Sequence, residues 1–226
     1  RGMTAATLTV ELFTEELPPK ALKRLGESFA SGIADGLRQR GFIGANSVVT
    51  SFATPRRHAV SLTQVLAGSP DRAQRVKLLP AAVGFAANGA PTPALLKKLA
   101  SLGLDDSAIA GLERAQDGKA EALFVHRTLA GEPLAGGLEA VVNEAIAALP
   151  IPKVMTYQRA DGTTVKFVRP AHRLLALFGA DVVPITALGL AADRVTDGHR
   201  FLGRGGIAIA TAAAYDETLR AEGKVI

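Results

Sequence analysis

The first alternation in the chain is TLTVELF, from Thr7 to Phe13. Leu8, Val10 and Leu12 fall on one side; Thr9, Glu11 and Phe13 fall on the other. A period of two with one apolar set predicts a half-buried strand. From Pro18 the period changes. Leu22, Leu25, Phe29, Ile33 and Leu37 recur at spacings of three and four, which lays one apolar stripe along a helix reaching about Arg40. Gly41 is placed to end it. Ser47–Ala53 and Arg57–Val65 read as two strands joined at TPRR, where Pro55 suits a turn. Strand, helix, strand, strand is the opening of an α+β sandwich of the ferredoxin-like type.

Residues 67–92 carry Gly, Pro and mixed charge with weak periodicity, and read as a connector. Pro93–Leu102 is expected to be a short helix and Glu121–Thr128 a strand. Leu134 to Leu149 repeats its apolar positions at helical spacing, and Pro150 and Pro152 close that helix. Lys166–Val168 reads as a short strand. Arg169–Gly179 reads as a helix, with Pro170 at its first position and Gly179 past its end. Val182–Leu190 and Gly206–Ala210 read as strands, and Thr211 caps a last helix. The expected fold class is α+β: a ferredoxin-like start followed by a mixed α/β region. The expected units are 3–66, the connector 67–92, and a second α+β unit over 93–226 that is cut at its C-terminal end.

Composition narrows the function classes. At 226 residues and 48% hydrophobic, the chain is long enough and apolar enough for a substantial core. Aromatics are 5% and Trp is absent, so Ala, Leu and Val must fill it. No apolar run reaches the roughly 18 residues of a transmembrane helix, so no membrane partner is expected. No charged-then-apolar leader opens the chain. Cysteine is absent, which excludes disulfides, thiolate metal sites and a Cys nucleophile, and fits a cytoplasmic protein. Arg1 and Gly2 precede Met3 and read as additions, while the chain stops on KVI without a closing signal. The net charge of +5 and the pI near 9.7 favour an anionic partner such as nucleic acid.

Four stretches could carry chemistry. In TEELPP, Glu15 and Glu16 precede a helix start, where carboxylates are stabilised by the helix dipole. That explains the residue types without a catalytic pair, for which a pocket and a second functional group would be needed. At the turn of ATPRRHAV, Arg56 and Arg57 offer guanidiniums suited to phosphates; the alternative is a solvated turn. Residues 153–204 hold eight Lys and Arg against four Asp, so most of the net charge lies there. His172 lies in this region as either a packing residue or an acid–base group. TDGHRFLGRGG combines glycines with His199, Arg200 and Arg204, but fits neither the Walker pattern nor GxGxxG. No metal-ligand spacing, HExxH or GxSxG is present.

Five strings taken together carry a resemblance. They are LTVELFTEELPPKAL (8–22), FATPRRHAV (52–60), LPIPKVMTY (149–157), FVRPAHRLLALFG (167–179) and GHRFLG (198–203). In this order they resemble the β subunit of bacterial heterotetrameric glycyl-tRNA synthetase, in its N-terminal portion. The resemblance implies a non-catalytic portion of an aminoacyl-tRNA synthetase. Its partners would be the α subunit, which carries the catalytic core, and glycine tRNA. ATP with magnesium would serve the holoenzyme, with no cofactor in this portion. Candidate phosphate contacts are Arg56, Arg57, Lys153, Arg159, Arg169, Arg173, Arg200 and Arg204. Glu15, Glu16, His172 and His199 are family-motif residues without an assigned role. A purely structural portion that holds the α subunit, with no direct RNA contact, is the alternative. A stand-alone enzyme acting through the GHRFLGRGG turn is a third reading, lacking an acid, base, nucleophile or metal site.

Overall fold

The computed structural model describes residues 4–14, 19–149, 155–158, 160–162, 164–167, 171–198, 203 and 205–223; for 155–158 and 164–167 the description is of the backbone. In chain order the elements are β1 (Ala5–Thr14), α1 (Pro19–Gln39), β2 (Val49–Thr54), β3 (Arg57–Leu66), β4 (Arg72–Pro80) and α2 (Ala81–Gly84). Next come α3 (Pro93–Ser101), β5 (Glu113–Asp117), β6 (Ala120–Leu129), α4 (Leu134–Ala147), β7 (Met155–Gln158) and β8 (Thr164–Phe167). They are followed by β9 (Ala171–Phe178), β10 (Asp181–Val182), β11 (Thr186–Ala187), β12 (Leu190–Ala191), β13 (Val195–Thr196), β14 (Ile207–Ala208) and α5 (Tyr215–Ala221). None of the described helices is long and apolar enough to cross a membrane.

The chain forms two compact units. One comprises Arg1–Pro70 with Glu132–Ile226; the other is Asp71–Gly131. The larger unit is built on a five-stranded sheet of order β10-β9-β1-β3-β2. Its pairings β1–β3, β1–β9 and β2–β3 are all antiparallel. With α1 after β1 and α4 before β9, this is the split βαβ arrangement of a ferredoxin-like fold, four strands in the order 4-1-3-2. The expected strand–helix–strand–strand start is therefore present, and the smaller unit is inserted between β3 and α4.

The elements follow from their side chains. Leu25, Phe29, Ile33 and Leu37 of α1 are all buried against the sheet and α4. The helix ends in a Schellman motif: Gly41 has φ 85°, its N–H reaches the Arg38 carbonyl, and the Phe42 N–H reaches the Leu37 carbonyl. Helices α1 and α4 pack closely because Gly32 faces Ala145 and Gly36 faces Val141; a Cβ on Gly36 would stand 2.8 Å from a Val141 methyl. The β2–β3 turn falls at Pro55–Arg56, as expected, between the paired residues Thr54 and Arg57.

Three expectations for the larger unit are corrected. Alternation predicts a half-buried β1, but both of its faces are covered from Leu8 to Thr14. Leu8, Val10 and Leu12 join the core under α1 and α4, while the other face packs against Ile207, Ile209, Ala212, Tyr215 and Leu219. The segment expected as a helix around 169–179 is strand β9. It pairs with β1 from Leu8↔Phe178 to Thr14↔Ala171. Leu174 and Ala176 face one core, Leu175 and Leu177 the other. A strand buried on both faces loses its alternation and reads as a continuous apolar run, which periodicity cannot separate from a helix. Finally, Val182–Leu190 is not one strand but the short pieces β10, β11 and the start of β12.

The smaller unit is a three-stranded antiparallel sheet, β4-β6-β5, with α2 and α3 over a core of Leu78, Leu95, Leu99, Leu123 and Val125. Residues 67–92, read as a connector, thus contribute a strand and a helical turn. β4 alternates, but Arg75 and Lys77 on its exposed side and Arg72 and Gln74 on the other make its pattern resemble a polar loop. β5, ERAQD, has Ala115 as its one apolar residue and carries no alternating apolar signal. Thr92 caps α3 by accepting the Leu95 N–H, as Thr211 accepts that of Ala214 at the turn preceding α5.

Candidate functional site

The second face of the large sheet carries three cross-strand rows, set by register. Thr9 stands beside Ser61 and Leu177; Glu11 beside Ala59 and Leu175; Phe13 beside Arg57 and Arg173. Each row is more polar than the core face, and the first two are closed over by Thr196, Ala212 and Tyr215. Thr9 shares a hydrogen bond with Ser61 at 2.6 Å and donates to the Ala212 carbonyl at 3.0 Å.

In the middle row, Glu11 is fully buried. Its carboxylate accepts from Arg57 Nε at 3.0 Å and from the hydroxyls of Thr196 and Tyr215. Arg57 is itself buried, at 3% exposure. A buried carboxylate is tolerated only when paired and hydrogen-bonded, and here one strand partner and two residues of the covering segment do so. Burial, and then the Glu11 charge, push the Tyr215 phenol well above its ordinary pKa, so it remains a donor. Tyr215 also packs edge-on to Phe52 at 5.6 Å.

The last row opens into a cleft of about 560 Å³, lined by Phe13, Arg56, His172, Arg173, Asp193 and Asp197 among others. The β2–β3 turn delivers Arg56, and the Arg56 carbonyl accepts the Thr14 N–H at 2.7 Å, fixing that turn on the end of β1. The Arg56 guanidinium stacks over Phe13 at 4.7 Å, with Arg57 at 5.4 Å. Strand β9 delivers His172 and Arg173. Arg173 Nε donates to Asp197 at 3.1 Å, and the Gly206 N–H donates to the same carboxylate at 2.7 Å. Burial works to raise the Asp197 pKa, but the Gly206 amide, Arg173 and the charge of Arg56 outweigh it, and the carboxyl titrates below its ordinary value. Arg57 also donates to the Asp197 main-chain carbonyl. Asp197 therefore links the buried network to the cleft.

These placements sort the predicted residues. Arg56 and Arg173 come together in the cleft, with His172 on its wall. Arg57, expected on an exposed turn, is turned inward onto Glu11, because Phe13 and Arg57 share a register position beside that carboxylate. His172 and Arg173 sit on a strand, not on the expected helix. Glu15, Glu16, Lys153, Arg159, Arg169, His199, Arg200 and Arg204 lie outside the described residues. Arg194 is used structurally, donating to the carbonyls of Ala180, Ile209 and Ala210. Among the described residues there is no group of three or more His, Cys, Asp or Glu that could hold a metal.

Sequence reasoning missed Glu11, Thr196, Asp197 and Tyr215 as one network. The available signal was Phe13, an aromatic on the face assigned to solvent, two positions from Glu11. It marks that face as covered.

The fold and cleft define a ferredoxin-like α+β protein with an inserted small unit and paired guanidiniums beside a covered sheet face. Residues 8–226 match the family described as glycyl-tRNA synthetase beta subunit, and the chain belongs to that family. It is 53% identical over 226 residues to the glycine–tRNA ligase beta subunit of Janthinobacterium sp. strain Marseille, covering 99% of this chain and 32% of the relative. It is 55% identical to the beta subunit of Leptothrix cholodnii and 53% identical to that of Ralstonia nicotianae, again over 32% of each. The chain thus spans about a third of the length of these relatives.

Proposed function

We propose that this chain is the part of a glycine–tRNA ligase beta subunit that supports tRNA binding and assembly with the alpha subunit. The complete enzyme would attach glycine to its tRNA using ATP, with magnesium, in the cytoplasm. The observation that carries the reading is the cleft, where Arg56 from the β2–β3 turn and Arg173 from β9 converge beside the Gly206 amide. Guanidiniums and a main-chain amide are the groups that recognise a phosphodiester. Arg57 acts as a positioning residue: its ion pair with Glu11 fixes the turn that presents Arg56. Such a site meets the RNA backbone and leaves base identity to be read elsewhere.

The test is a titration of the full-length protein carrying this chain with glycine tRNA and an unrelated tRNA. Arg56 and Arg173 are expected to contribute comparably to both affinities, so that each falls in part when the two arginines become Ala. Unchanged affinity in that folded double variant would remove the contact reading and leave assembly with the alpha subunit as this portion's role.

A further inference from the structure

The Asp197 carboxylate stands where the cationic donors of the cleft converge. One oxygen accepts the Gly206 amide at 2.7 Å, the other accepts Arg173 Nε at 3.1 Å. Arg56 adds its charge to the same group. Asp193, the other carboxylate of the cleft wall, is tied to its own turn by accepting the Val195 N–H at 2.9 Å. A main-chain amide and a guanidinium on one pair of anionic oxygens, with a second guanidinium lining the same cleft, is the donor set of a phosphate site. Here those donors face a carboxylate belonging to the protein.

The Asp197 main chain is fixed from beneath, since its carbonyl accepts from Arg57, which is held by buried Glu11. Its side chain is not buried in the same way. Arg173 and Asp197 are 34% and 27% exposed, so solutes reach both. Ion pairs of this exposure are weak and exchange readily.

We propose that the Asp197 carboxylate is a built-in stand-in for a phosphate, occupying an anion site formed by Arg173, Arg56 and the Gly206 amide until a nucleic-acid phosphate displaces it. The proposal rests on the reading that the cleft meets phosphate. It accounts for acidic residues in a cleft otherwise suited to anions. With the site internally neutralised, isolated anions bind weakly. A polyanion, which delivers several phosphates at once, displaces the carboxylate and frees it to turn toward solvent. Asp197 is then an autoinhibitory contact that weakens phosphate binding at this site by a fixed factor, so that only a ligand with further contacts binds well.

The test uses Asp197→Asn in the full-length protein, with inorganic phosphate and glycine tRNA as separate probes. Asn keeps the shape and can still accept the Gly206 amide, but carries no charge. Phosphate should bind about three- to fivefold more tightly than to the wild type, the scale of one partly exposed ion pair. The gain should vanish when Arg173→Ala is added. Unchanged or weaker phosphate binding by folded D197N overturns the proposal and makes Asp197 only a brace for its loop. If D197N melts earlier, the Arg173 Nε–H resonance of the wild type decides: a saturable shift on adding phosphate supports exchange, and an unmoved resonance overturns it. The two readings separate by their probes. Tighter phosphate binding without tRNA affinity upholds the anion site and defeats the RNA reading. A tRNA affinity that needs Arg56 and Arg173 but ignores D197N does the reverse.

Discussion

Arg57 donates to the Glu11 carboxylate at 3.0 Å across the β1–β3 pair, and both side chains are buried. The two are diagonal neighbours on one face, since Glu11 pairs with Ala59 and Arg57 with Phe13. The pair joins the sheet to its C-terminal cover through Thr196 and Tyr215. A buried ion pair adds little net stability over a hydrophobic replacement, but removing one partner strands the other.

Glu11→Gln is therefore expected to destabilise the fold by about 3–5 kcal/mol in urea unfolding, because Arg57 keeps its charge without a counter-ion. Tyr215→Phe removes one hydrogen bond to a charged acceptor and should cost about 1.5–3 kcal/mol. A destabilisation below roughly 1 kcal/mol for Glu11→Gln would mean that the network is not closed to water.

His58 gives the fold an acid sensitivity. It lies on β3 beneath α1, is 2% exposed, and neither ring nitrogen has a hydrogen-bond partner among the described residues. Burial lowers its pKa from 6.5 to about 4. The unfolded chain takes up this proton first, so stability falls as pH drops from 6.5 towards 4. The full decrease is on the order of 3 kcal/mol. Urea midpoints measured across that range should decline for the wild type and flatten for His58→Leu. Parallel slopes in the two proteins would show that His58 is hydrated or paired.

Gly36 sets the distance between α1 and α4. Gly36→Leu should cost about 1–3 kcal/mol by overpacking against Val141. Shortening the opposing side chain, Val141→Ala, should recover part of that stability in the double variant. Simple additivity of the two effects would place the strain elsewhere.

In the small unit, Glu113 accepts from Arg75 at 2.9 Å and from His126 at 2.5 Å. Those two hydrogen bonds, Arg75 foremost, lower its pKa from 4.5 to about 2. Its favourable contribution is present above 4.5 and disappears as pH falls towards 2. A carboxyl carbon titration should give a midpoint near 2 for Glu113, rising towards 4.5 in Arg75→Gln. A midpoint near 4.5 in the wild type would mean that the bridge does not persist in solution.

Much of the larger unit is legible in the sequence. The period switch at Pro18, the Gly41 stop and the TPRR turn locate β1, α1, β2 and β3 to within a few residues. That start also implies a following helix and a fourth strand, since a βαββ unit leaves β1 with an unpaired edge. The fourth strand is hidden because Ala171–Phe178 is buried on both faces, while Pro170 and Gly179 imitate helix punctuation. Arg57 is hidden for another reason. Nothing local distinguishes it from Arg56; only the pairing register turns one inward and the other to the cleft. The inserted unit is obscured by charge on the open sides of β4 and β5, where Arg75–Glu113 and Lys77–Asp117 pair across the sheet.

The central claim is that Arg56 and Arg173 contact an RNA backbone. The most direct measurement is the salt dependence of tRNA affinity for the full-length protein, wild type against Arg56→Ala/Arg173→Ala. Removing one cation from a phosphate should reduce the slope of log affinity against log salt by about one, so the double variant should be shallower by about two. Equal slopes with equal affinities in two folded proteins would contradict the claim, and place the RNA footprint outside this cleft.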